Sequence, residues 1–98
     1  MRNIIQLGGH QRLIEGKHGF FIYNLHDHYV GRALELYGEY SEAEMMLFEM
    51  FTSLGGDVIE VGANIGSHTV PLSKAIKGAM IHAFEPQPVV FQNLCANI

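Results

Sequence analysis

Aromatic and β-branched residues cluster from Gly19 onward. Phe20, Phe21, Ile22, Tyr23 and Leu25 precede the polar triplet His26-Asp27-His28, and Tyr29 and Val30 follow it. Such side chains suit a pleated, half-buried surface, so this stretch is expected to form a hairpin with its turn at His26-Asp27-His28. Residues 1 to 17 mix Gly8-Gly9 with polar positions and predict only a flexible entry or a short strand. Ser41-Glu42-Ala43-Glu44 fits a capping box, in which Ser41 accepts a backbone N–H and Glu44 reaches back. A helix is expected to follow through Phe51, with Ala43, Leu47, Met50 and Phe51 on its apolar face and Gly55-Gly56 as its end.

The pattern then changes period. Asp57-Val58-Ile59-Glu60-Val61 is a short apolar run closed by Gly62, the signature of a buried parallel strand. A helix is expected from Ser67 or His68 through Ala75-Ile76. Pro71 falls in its first turn, and Gly78 is a left-handed stop. Ala79 to Phe84 reads as a second strand, Glu85-Pro86-Gln87-Pro88 breaks it, and Val89 to Ile98 begins another helix. Residues 57 to 84 thus predict one strand–helix–strand unit. Residues 1–56 are expected to form a hairpin and capping helix ahead of it, and 57–98 the start of a Rossmann-like domain.

Ninety-eight residues, 48% hydrophobic and 16% charged, describe one small globular domain. The net charge is −4, and the cations at Arg2, Arg12, Lys17, Arg32, Lys74 and Lys77 form no stripe, which argues against nucleic-acid binding. Cys95 is the only cysteine, so no intrachain disulfide forms, and a cytoplasmic location is the simplest expectation. The first residues do not read as a signal peptide, and no apolar run approaches the ~18 residues of a membrane span. His26 and His28 lack a third ligand in the sequence, so no metal is expected. His82, Cys95 and the Met45-Met46-Met50 set are expected in the core, whereas His68 is either pocket-lining or a surface residue. Asn93 and Asn97 either face the crevice or solvate a helix.

The candidate chemistry lies in Glu60-Val61-Gly62-Ala63-Asn64-Ile65-Gly66. An acidic residue closes a strand, two glycines follow at G-x-x-x-G spacing, and a helix begins. Gly62 permits a sharp turn and close approach of a ligand, and Gly66 permits tight packing at the helix start. Free amides of the turn and of the helix N-terminus are expected to bind a carboxylate. Glu85 ends the second strand, 19 positions after Gly66, where a carboxylate can accept both hydroxyls of a ribose. The absence of G-x-G and the charge of Glu60 disfavour a pyrophosphate and hence a nicotinamide or flavin cofactor.

These segments, with Ala83-Phe84-Glu85-Pro86-Gln87-Pro88 and Asn93-Leu94-Cys95-Ala96-Asn97, resemble the FkbM-type S-adenosylmethionine-dependent methyltransferases of the class I superfamily. Tyr37 to Glu44 resembles the segment before the cofactor strand of that family, and the resemblance spans roughly residues 19 to 98. It implies an α/β Rossmann-like fold, here truncated after the second parallel strand and its following helix. It also implies methyl transfer from S-adenosylmethionine to an oxygen of a small-molecule or sugar acceptor. It assigns the cofactor to Glu60, Gly62, Ala63, Asn64, Gly66 and Glu85, and names no catalytic residue. Tyr37 and Tyr40 would close over the methionine end by the same resemblance. A departure is Glu60, where the family often has Asp. The alternative expectation is a non-catalytic fragment or interaction module that keeps part of the cofactor cradle.

Overall fold

The computed structural model describes residues 3–98; Arg2, among the scattered cations, lies outside them. Strands β1 (Ile4–Gly8), β2 (Gln11–Gly16) and β3 (Gly19–Asn24) come first, followed by helices α1 (Val30–Tyr37) and α2 (Glu42–Thr52). Strand β4 (Val58–Val61), helix α3 (Thr69–Ala75), strand β5 (Ile81–Phe84) and helix α4 (Pro88–Asn97) complete the chain. The result is a small mixed α/β domain with a three-stranded antiparallel sheet and a two-stranded parallel one. No helix among the described residues is long and apolar enough to cross a membrane.

The antiparallel sheet corrects the hairpin expected around His26-Asp27-His28. Its two turns lie at Gly8 to His10 and at Lys17-His18, and it pairs in the order β1-β2-β3. Gly8 and Gly9 both have positive φ, so the first turn falls where the backbone can reverse without a Cβ penalty. The register sets Ile14 opposite both Ile4 and Phe21. Ile14, Phe21 and Tyr23, at most 1% exposed, become one buried face.

Val30, expected in a strand, instead opens α1. Asp27 accepts the amide of Tyr29 on its side chain (3.0 Å) and that of Arg32 on its carbonyl (3.0 Å), which starts the helical turn. Val30 and Leu34, four apart, then share the buried face, and Gly38 ends the helix in the left-handed conformation.

Helix α2 forms where expected, but by other contacts. Ser41 adopts φ 53° and its side chain caps nothing; Glu39 accepts the Glu42 amide instead, at 2.8 Å. The buried position is Met45, flanked by half-buried Phe48 and Thr52. Ala43, Leu47, Met50 and Phe51 are exposed, as is Met46, because α2 rests on α3 rather than on a sheet.

The strand–helix–strand unit forms with β4 parallel to β5 and Glu60 opposite Ala83. It is covered on one face only. Val58, Glu60, Ile81 and Ala83 are half-buried, whereas Ile59, Val61 and Phe84 are 71%, 84% and 57% exposed. This corrects the fully buried strand expected at 57–61. His82 points to the open face, with Nε2 3.8 Å from Asp57, and Cys95 is likewise exposed on α4. Helix α3 ends with Ile76 in an extended conformation, two residues before Gly78.

The core cluster joins both parts of the chain: Ile14, Phe21, Tyr23, Val30 and Leu34 pack with Ile65 and Val70. Within it the Tyr23 hydroxyl donates to Glu35 (2.9 Å), which also pairs with Arg32 (2.8 Å). Burial first, and then the Glu35 carboxylate, push the Tyr23 phenol well above its ordinary value of 10. The stabilisation from the neutral phenol is therefore complete below pH 10 and declines as pH rises past it, because the unfolded tyrosine ionises first. Tyr23→Phe should flatten that alkaline decline in urea titrations between pH 9 and 11, relative to the wild type.

Candidate cofactor turn

Strand β4 runs into a turn whose backbone is left-handed at Gly62 (φ 80°), Asn64 (φ 55°) and Gly66 (φ 92°). The partner strand ends beside it, and the two ends interlock. Gly62 and Ala63 donate their amides to the Phe84 carbonyl at 2.8 and 3.0 Å. Asn64 donates to Glu85 Oε1 at 2.9 Å. Ile65 donates to the Asn64 side chain at 2.8 Å, and Gly66 donates to the Ala63 carbonyl at 3.0 Å.

Five consecutive amides expected to be free for a carboxylate are thus engaged within the chain. A carbonyl and a carboxylate at the end of β5 lie within reach, and amides removed from water take the partners that are available.

The two glycines differ. A Cβ added to Gly62 would meet nothing within 4 Å, so the space before it is open. A Cβ on Gly66 would come within 3.1 Å of Leu94 Cδ1, so Gly66 is the point at which the turn and α4 touch. Ala63 is buried beneath the turn at 3% exposure.

The carboxylates divide the work. Glu85 Oε1 holds the Asn64 amide and Oε2 accepts from Gln87 N at 3.0 Å, and each oxygen keeps a second lone pair. Glu60 accepts from the Thr69 hydroxyl and so turns toward α3. Neither Glu60 nor Glu85 forms an ion pair among the described residues. The turn is flanked by unneutralised negative charge, which attracts cations and hydroxyl donors and repels phosphates.

Two clefts lie against the turn. One of about 420 Å³ is lined by Phe48, Thr52, Glu60, Gly62, His68 and Leu72. The other, about 320 Å³, is lined by Asn24, Asp27, Asn64, Gln87, Val90 and Asn93 among others. Glu60 and Gly62 therefore face one space and Asn64 the other, while Ala63, Gly66 and Glu85 line neither. A larger hollow of about 770 Å³ between β3, α3, β5 and α4 includes none of the six predicted residues.

Several neighbours become legible only here. Asn93 is 5% exposed and lines the smaller cleft, and its side chain makes no hydrogen bond among the described residues, so it is buried against that cleft rather than solvating the helix. Asn97 instead bonds to Ile22 and Ile65, a structural role. His68 lines the larger cleft, with Nε2 3.1 Å from the Tyr40 carbonyl and its ring edge-on to Phe48. Tyr40 packs against the core, whereas Tyr37 is 60% exposed. No family model, curated protein or solved structure matches this chain.

Proposed function

We propose that the β4–α3–β5 unit is the cofactor half-site of a Rossmann-like S-adenosylmethionine-dependent methyltransferase acting on an oxygen of a small-molecule or sugar acceptor. The observation that carries the reading is the bond from Asn64 N to Glu85 Oε1, which fixes a carboxylate beside an open glycine turn at the ends of two parallel strands. In open α/β sheets ligands bind in the crevice outside the carboxyl ends of the strands.

The fit is unequal across the cofactor. Glu85 has free lone pairs for ribose hydroxyls, and Gly62 leaves room for close approach. Glu60 adds negative charge that favours the ammonium and the sulfonium. The turn amides do not fit the carboxylate role, since all five are bonded within the chain. When bound, the cofactor supplies an electrophilic methyl group. The chain's part is to orient it and, through the apolar side chains of the larger cleft, to exclude water.

The test is calorimetric titration of the full chain with S-adenosylmethionine, alongside Glu85→Gln and with NAD as control. Gln retains one acceptor, for the Asn64 amide, and removes the charge while giving up the bond from Gln87 N, so the turn keeps its bond while the hydroxyl contacts weaken. Saturable binding, weaker in the variant by about tenfold and absent with NAD, is expected. A folded wild-type chain that binds no S-adenosylmethionine overturns the reading. It would favour a non-catalytic interaction module, for which the open apolar face of Ile59, Val61 and Phe84 speaks.

A further inference from the structure

The fold brings together two histidines that the sequence keeps sixteen positions apart. His10 lies in the turn between β1 and β2, and His26 follows the end of β3. The Leu25 amide donates to the His10 carbonyl at 2.8 Å, and the His26 amide donates to the Asn24 side chain at 2.8 Å, so both backbones are held. The imidazoles then meet in solvent, with His26 Nε2 3.1 Å from His10 Nδ1.

The rings are not aligned for a linear contact. Their centroids are 4.7 Å apart and their planes are inclined by 59°. Two nitrogens in line would hold the centroids farther apart, at about 5.4 Å, by the covalent size of an imidazole added to their separation. The contact is thus a bent hydrogen bond in which one nitrogen holds the shared proton, and an ion that displaces that proton finds two imidazole lone pairs this close together. Two imidazoles bound to one ion at about 2.0–2.1 Å have nitrogens about 2.9 Å apart at a right angle and about 3.3 Å at a tetrahedral one. The observed 3.1 Å falls between these values.

From this geometry we infer that His10 and His26 form a two-imidazole clip for a first-row divalent transition metal such as Zn²⁺, with water completing the shell. Borderline ions of this kind favour neutral imidazole over a purely oxygen-donor set. No group of three or more His, Cys, Asp or Glu able to hold a metal occurs among the described residues, so the site is open and its affinity modest. The Arg12 guanidinium, bonded to the carbonyls of Gly9 and Gln11, adds a nearby positive charge that lowers the affinity further. A bound ion would tie the first turn of the antiparallel sheet to the end of its third strand. His26 also lines the smaller cleft, so the ion would lie at the rim of that cleft. The clip is independent of the methyl-transfer reading.

Zn²⁺ titration of the full chain, followed by histidine ring NMR and calorimetry at pH 7.5, tests it. One saturable site is expected, shifting His10 and His26 resonances together and leaving His82 unmoved. His10→Asn and His26→Asn should each weaken Zn²⁺ by about tenfold or more, since loss of a ligand costs at least what loss of an outer-shell partner does. His28→Asn and His82→Asn should leave it within about twofold. Both clip residues are exposed and their backbone bonds survive substitution, so the variants fold. Zn²⁺ should also raise the Tm of the wild type and of neither clip variant. Absence of saturable binding up to about 1 mM Zn²⁺, or binding that both clip variants retain, overturns the proposal and leaves a plain histidine–histidine hydrogen bond.

Discussion

Asn97→Ala is expected to lower the stability of the domain by about 3 kcal/mol, the sum of three hydrogen bonds at about 1 kcal/mol each. The Asn97 side chain accepts from Ile22 N (2.7 Å) and donates to Ile22 O (3.0 Å) and Ile65 O (2.8 Å). Strand β3 is an edge of its sheet, and the Ile22 groups are those that no neighbouring strand takes. One side-chain amide thus does for that edge what a further strand would do, and it ties the edge to the glycine turn. Against a total of about 5–15 kcal/mol for a domain of this size, the loss is large. Urea unfolding should show the midpoint falling by more than about 1 M. Asn97→Asp should be no better than Ala, because it keeps one acceptor but sets a carboxylate against two carbonyl oxygens. A midpoint shift below about 0.3 M for both variants would remove Asn97 from this role.

Gly66→Ala should cost about 2 kcal/mol, from two separable sources. A residue with a Cβ at φ 92° is strained by about 1–2 kcal/mol, and the added methyl would press on Leu94 Cδ1 at 3.1 Å. Gly62→Ala carries the strain alone, since its Cβ would meet open space. The thermal midpoint of Gly66→Ala should therefore fall by about 10 °C, and that of Gly62→Ala by about half as much. Shortening Leu94 removes the contact and not the strain. The double variant Gly66→Ala with Leu94→Val should accordingly be more stable than the summed single effects by about 0.5–1 kcal/mol. Strict additivity would show that α4 does not bear on the turn.

Segments whose pattern is set by neighbours in sequence were legible in the residue string. The β4–α3–β5 unit and its parallel pairing follow from two short apolar runs separated by a helix-length segment with Gly62 and Gly66 at its start. Helix α2 and α4 likewise fall where their boundaries predict, with Pro88 at the first position of α4. The antiparallel sheet was misplaced because aromatic density outweighed turn chemistry. Gly8-Gly9 is the stronger reversal signal, and Asp27 starts a helix rather than closing a hairpin.

The site divides in the same way. Local sequence determined the glycine turn and the carboxylate at the end of β5, because backbone permissiveness and strand ends are properties of a few adjacent residues, whereas the left-handed backbone at Asn64 emerged only in the fold. The tertiary structure alone decided what those groups do. It spent the turn amides on Phe84 and Glu85, turned Glu60 to Thr69, buried Asn93 and placed His10 against His26. Each of these outcomes depends on partners distant in the chain, set by which apolar faces pack together, and nearby residues carry no record of that choice.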